Sequence, residues 1–148
     1  MTGNKIILED LKQIIDTPLN WDRFSGKTIL ITGANGFLPA YMVETLLFLC
    51  EKGVISGTKV LALVRDIEKA KLRFKYYLKN RNLEFIVQDV CDPIAADLKI
   101  DFIIHAASQA SPKYYGKDPA GVPERLRRTR AHARTRRVQS DPGIGQAH

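Results

Sequence analysis

The segment Thr32-Gly33-Ala34-Asn35-Gly36-Phe37-Leu38 constrains the fold more than any other part of the chain, because of what flanks it. Before it, Thr28 to Thr32 (TILIT) is a short apolar, β-branched run without alternation, the pattern of a parallel strand covered on both faces. After it, Val43, Leu46, Leu47 and Cys50 recur at helical spacing within Leu38 to Lys52, and Gly53 supplies a C-terminal stop. A strand that passes through two glycines straight into a helix opens a β-α-β unit.

The pattern repeats along the chain. Lys59 to Val64 (KVLALV) is a second buried strand, and Asp66 can cap a helix whose apolar positions are Ile67, Ala70, Phe74 and Leu78. Leu83 to Gln88 and Phe102 to Ala106 supply two further strands. Ahead of them, Ile6 to Ile15 sets Leu8, Leu11 and Ile15 on one helical face, and Trp21 and Phe24 follow in a docking loop. The expected fold is therefore α/β, a partial Rossmann domain: a parallel sheet of about four strands with a leading helix. Right-handed crossovers give the strand order 3-2-1-4, the first part of a doubly wound sheet. The expected division is 1–24 for the leading helix and loop, 25–118 for the Rossmann half, and 119–148 for an Arg-rich tail.

In this context the glycines acquire chemistry. Gly33 lets the chain turn tightly, and Gly36 lets the backbone approach a pyrophosphate, whose charge the first-turn N–H groups and the helix dipole stabilise. The plain alternative is a tight strand-to-helix turn with no ligand. TGANGF in this position resembles the T-G-x-x-G-F of the extended short-chain dehydrogenase/reductases, the NAD-dependent epimerase/dehydratase family of nucleotide-sugar epimerases, dehydratases and decarboxylases. The family's third glycine is replaced by Pro39, which the first turn of a helix tolerates.

Three further stretches resemble the same family, and together the matches cover roughly residues 25 to 118. At the end of the second strand, where an acid commonly holds the ribose hydroxyls of NAD, this chain has Val64-Arg65-Asp66. Arg65 either pairs with a 2′-phosphate, which favours NADP over NAD, or is a solvated arginine beside a capping Asp66. Asp89-Val90 resembles the family's adenine-contacting pair, although Asp89 could equally cap a turn. His105-Ala106-Ala107-Ser108 resembles the stretch whose small side chains let the backbone pass close to the dinucleotide, and His105 itself is given no chemistry. The resemblance thus implies an NAD or NADP site built from Gly33, Asn35, Gly36, Phe37, Leu38, Arg65, Asp89, Val90, Ala106, Ala107 and Ser108. Ser111, Lys113 and Tyr114 are either substrate contacts or an exposed polar loop.

The family's chemistry uses a Tyr-x-x-x-Lys pair, in which lysine lowers the tyrosine pKa so that phenolate acts as base. Four residues after Tyr41, Tyr76, Tyr77, Tyr114 and Tyr115 stand Thr45, Asn80, Arg81, Asp118 and Pro119, so no such pair exists here. No catalytic residue is assigned. The expectation is an NAD(P)-binding half, truncated and inactive alone, whose intact relatives take a nucleotide sugar. The alternative is a non-catalytic NADP-binding or regulatory module that joins a second copy or a completing chain through the open sheet edge.

Charge adds less than its total suggests. Of the net +7, residues 1–118 contribute +2 and residues 119–148 contribute +5, with seven Arg and no Lys in that tail against 12 Lys and 4 Arg before it. The switch in usage reads either as sequence from another frame or as a natural disordered extension. Nucleic-acid binding through the tail ranks last, because no aromatic residue interleaves with its arginines. Cys50 and Cys91 are too few for a disulfide framework or a zinc site. No apolar run reaches the roughly 18 residues of a membrane span, and the mixed N-terminus lacks a secretory signal pattern, which makes the cytoplasm the expected location.

Overall fold

The computed structural model describes residues 4–94 and 98–107. The tail 119–148, and with it Ser108, Ser111, Lys113 and Tyr114, lies outside the described residues. The described residues fall into two units, the main one comprising residues up to Asp89 together with Ile94–Ala107, the other containing the turn Val90–Pro93.

Four parallel strands form the centre of the main unit: β1 (Thr28–Thr32), β2 (Lys59–Val64), β3 (Leu83–Val87) and β4 (Phe102–His105). Their order is β3-β2-β1-β4, the order expected for the first part of a doubly wound sheet with right-handed crossovers. Register runs Ile29↔Val60 and Ile31↔Ala62 between β1 and β2, and Ile29↔Phe102 and Thr32↔His105 between β1 and β4. The two inner strands are buried on both faces: Ile29 and Ile31 join the main core cluster, and Leu30 and Leu61 on the opposite face are equally inaccessible. That double burial is why the TILIT and KVLALV runs do not alternate.

α1 (Lys5–Ile15) begins at Asn4, whose side-chain oxygen accepts from the Ile6 N–H at 3.0 Å. Leu11 is its buried anchor, and the short 3-10 turn Trp21–Phe24 sets both rings against the core. α2 (Phe37–Glu51) is buried along most of its length, with Val43, Leu46 and Leu47 in the core. Tyr41 ties it to α1, its hydroxyl donating to Asp10 Oδ2 at 3.1 Å. At the other end Gly53 takes φ +70° while Val54 N–H donates to Leu49 O at 3.0 Å, the left-handed stop expected of a glycine there.

α3 (Ile67–Arg73) is shorter than its sequence pattern implies. The Asp66 side chain caps it, accepting from Lys69 N–H at 3.1 Å. After Arg73 the chain tightens: Tyr77 N–H donates to Phe74 O and Asn80 N–H to Tyr77 O, both at 2.8 Å. Bonds spanning three residues bring every third side chain to one face instead of every 3.6th. Tyr77 therefore takes the inward position expected for Leu78, with 1% exposure against 49%. Burial pushes the Cys50 thiol pKa up. Among the described residues no helix is long and apolar enough to cross a membrane, and no group of three or more His, Cys, Asp or Glu residues is placed to hold a metal.

Candidate functional site

Parallel strands all end on the same side, so the segments following β1, β2, β3 and β4 share the carboxyl edge of the sheet. The order β3-β2-β1-β4 makes the chain reverse direction between β1 and β4, and ligands of open α/β sheets bind in the crevice at that reversal. The glycine turn after β1 and the Ala106-Ala107 backbone after β4 meet at this point.

Gly33 has φ +67°, a left-handed conformation that side chains disfavour. A Cβ on it would also lie 2.9 Å from Ala107 Cα and 3.0 Å from Ala107 N. Both the torsion and the space demand glycine. Ala34 N–H donates to Leu63 O at 3.2 Å, and Gly36 N–H donates back to Gly33 O at 2.8 Å, which closes the turn.

Gly36 is the residue that caps α2, in extended geometry (φ −69°, ψ 162°) that any residue can adopt. Its constraint is spatial, since a Cβ would stand 3.0 Å from Pro39 Cγ and 3.2 Å from Gly33 O. The first intrahelical bond is Ala40 N–H to Gly36 O at 3.0 Å. Pro39, which replaces the family's third glycine, is buried and occupies the third helical position, where an N–H would have had no intrahelical acceptor. The N–H groups of Phe37 and Leu38 lack intrahelical partners for the same reason, and α2 has neither a side-chain cap nor an acid in its first turn. The side chains of Phe37 and Leu38 point into solvent, and the Phe37 ring packs edge-on to Tyr41 with centroids 5.4 Å apart. What these two residues offer the turn is backbone.

Asn35 links the turn to the end of β2: its Nδ2 donates to Asp66 O at 3.0 Å, while its Oδ1 is buried without a hydrogen-bond partner. Arg65 is exposed beside it in sequence. The Asp66 carboxyl is held below the usual carboxylate range by the Lys69 backbone N–H it accepts, and Lys69 Nζ lies 3.5 Å away. Asp89 is half-buried two residues past β3, and Val90, in the second unit, is also half-buried.

Thr32 is the residue that sequence reasoning missed. Its hydroxyl is fully buried, accepts from the N–H groups of Ala106 and Ala107 at 3.1 Å each, and lies 3.0 Å from His105 Nδ1. This explains why β4 ends at His105 rather than at Ala106: the next two N–H groups turn to a side chain instead of to the ladder. The His105 pKa is lowered by burial, and its Nε2 is buried without a hydrogen-bond partner. The signal in the sequence was a hydroxyl at the end of an otherwise apolar strand, directly before the first glycine.

Comparison with known proteins gives this arrangement a context. The NAD dependent epimerase/dehydratase family matches over residues 29–127. A solved structure described as "X-ray structure of Pen from Bacillus thuringiensis" is similar with a TM-score of 0.60 and 18% identity, over 74% of this chain and 35% of that one. A second, "Crystal structure of Aureusimine biosynthetic cluster reductase domain", has a TM-score of 0.45 and 20% identity, over 90% of this chain and 40% of that one. The chain thus spans less than half the length of either structure, and the first supports the fold alone. A search of curated proteins found no match.

Proposed function

The chain belongs to the NAD dependent epimerase/dehydratase family, and from that premise we propose that it is the NAD(P)-binding half of a nucleotide-sugar epimerase- or dehydratase-like oxidoreductase. The observation that carries the reading is the N-terminus of α2, which follows the Gly33 turn with free Phe37 and Leu38 N–H groups, no side-chain cap and no acid in its first turn. That is what a pyrophosphate needs: donors, a favourable helix dipole and no competing negative charge. Gly33 and Gly36 keep side chains out of the turn, so a dinucleotide meets backbone there.

In this proposal Gly33, Gly36, Phe37 and Leu38 hold the pyrophosphate. Asn35, with its unpartnered Oδ1, Arg65 and Asp89 serve the adenosine half, and Ala106 and Ala107 let the chain pass beside the cofactor. Arg65, exposed after β2, pairs with a 2′-phosphate and so favours NADP. When bound, the nicotinamide supplies hydride transfer at a sugar carbon. With no Tyr-x-x-x-Lys pair in the sequence, these residues bind and orient, and we propose that the chain does not turn over substrate by itself.

A second reading, a module completed by another chain, is favoured by the outer strand β4, where Phe102 and Ile103 remain 37% and 43% exposed. Calorimetric titration of the folded chain with NADP⁺ and NAD⁺ tests the main reading. Saturable binding is expected, and a folded chain that binds neither would remove it. A defined stoichiometric complex formed through β4 would favour the second reading, a non-catalytic NADP-binding or regulatory module.

A further inference from the structure

The segment between β2 and β3 carries charge that the candidate site does not use. Residues 65–81 hold seven Lys and Arg against two acids, a net of +5, whereas residues 1–118 as a whole carry +2, which leaves −3 for the rest of that stretch. β2 ends at Val64 on the carboxyl edge of the sheet and β3 begins at Leu83 on the amino edge, so α3 and the turns after it carry the chain away from the crevice. Lys75, Lys79 and Arg81 therefore lie towards the edge opposite the glycine turn, where positive charge does little for a bound dinucleotide.

The three-residue bonds that bury Phe74 and Tyr77 and half-bury Asn80 leave two outward rows. Lys75, Leu78 and Arg81 form one, Tyr76 and Lys79 the other, and Leu72 stands beside them on the last turn of α3; all six are exposed. Leu72 is 74% exposed and Tyr76 52%, so large apolar surface sits among the cations. Acids neutralise only the start of the helix, where Asp66 pairs with Lys69 at 3.5 Å and Glu68 with Lys71 at 2.9 Å. Arg73 is half-buried and acts on buried Glu44. Among the described residues Lys75, Lys79 and Arg81 form no ion pair, and Lys75 Nζ sits 4.9 Å from the Tyr76 ring centroid.

We propose that this face binds a membrane surface containing anionic lipid, with Leu72, Tyr76 and Leu78 entering the headgroup region and Lys75, Lys79 and Arg81 paired with lipid phosphates and carboxylates. A surface that lies on a bilayer needs cations and interfacial apolar side chains, and no spanning helix. Lysine is a compact charge on a flexible stem, which suits lipid charges that have no fixed positions, and its stem covers apolar surface while the ammonium reaches outward. Single-stranded nucleic acid fits less well. It is held by successive bases stacked on aromatic rings, and the one exposed ring of this face, Tyr76, already carries Lys75. Seated this way, the chain keeps its carboxyl-edge crevice open, so the inference stands apart from the functional reading above.

The test is flotation of the full chain with vesicles of phosphatidylcholine alone or of equal parts phosphatidylcholine and phosphatidylserine. Wild type is expected to float with the mixed vesicles only, and to be released as salt screens the charges. Each lysine near an anionic surface is worth about fivefold in affinity, so Lys75→Gln/Lys79→Gln should bind about 25-fold more weakly. Leu72→Ser/Tyr76→Ser, which keeps every cation, should lose about tenfold. Should a variant not fold, hydrogen exchange of wild type on the mixed vesicles decides the matter, with slowing expected over residues 71–81. No binding to mixed vesicles, or slowing confined to other residues, overturns the proposal. Binding unchanged in the lysine variant assigns it to the seven arginines of residues 119–148 and overturns it too. Binding unchanged in Leu72→Ser/Tyr76→Ser overturns the seating of the apolar side chains. Capture of a single-stranded oligonucleotide through the same lysines, with no vesicle binding, makes the face a nucleic-acid site instead.

Discussion

Replacing Gly33 with alanine separates two costs that the sequence cannot distinguish. The first is conformational: at φ +67° a side chain is forced into the left-handed region, at about 1–2 kcal/mol. The second is steric. The new Cβ would stand 2.9 Å from Ala107 Cα, which is main chain and cannot swing aside, and such overpacking costs about 1–3 kcal/mol. Gly53 supplies the control, because it has φ +70° with nothing within 4 Å of its virtual Cβ. Gly53→Ala should show the first cost alone and Gly33→Ala both, about 2–5 kcal/mol, a large share of the 5–15 kcal/mol typical of a small domain. Urea unfolding followed by circular dichroism reads the difference; with a slope of about 1–1.5 kcal/mol per molar the midpoints should separate by roughly 1 M or more. Equal midpoints would refute the close approach of the chain after β4 to the turn after β1.

Arg65→Ala should weaken NADP⁺ binding about tenfold or more in calorimetry and leave NAD⁺ nearly unchanged; equal losses would deny the 2′-phosphate contact. Glu44 is buried on α2, its Oε2 has no hydrogen-bond partner, and burial raises its pKa while the Arg73 charge lowers it in part. The folded state therefore binds the Glu44 proton more tightly than the unfolded chain, so this group costs stability as pH rises above about 4.5. Glu44→Gln should raise the urea midpoint at pH 7, and the gain should vanish near pH 4. Asp101 has the opposite sign: Thr28 N–H, donating at 2.9 Å, and then Lys27 hold its carboxyl below the usual range. Its contribution is present above about pH 4 and lost as pH falls through the lowered value, so Asp101→Ala should be less stable at pH 7 and approach wild type in acid.

The inner strands were legible because uninterrupted apolar runs of five or six residues mean double burial, and the strand order was legible as the first part of a doubly wound sheet with right-handed crossovers. The glycine turn was legible from its place between β1 and α2. The inward turn of Tyr77 was not, because the chain leaves helical geometry after Arg73 and a 3.6-residue period selects Leu78 instead. Nor was the bridge from Asn35 to Asp66 O, or the triple role of the Thr32 hydroxyl. Each joins residues 31 or more positions apart, and periodicity along the chain carries no information about such contacts. Pro39 shows the converse: its tolerance follows from local helix geometry alone, and the structure places it buried in the first turn of α2.

The most direct test of the central claim is a titration of the ¹⁵N-labelled chain with NADP⁺ and NAD⁺, followed at each backbone amide. The account predicts saturable shifts concentrated at Gly33, Asn35, Gly36, Phe37 and Leu38, with a second group at Ala106 and Ala107. Saturable shifts elsewhere, or none at the α2 N-terminus of a folded chain, would contradict it.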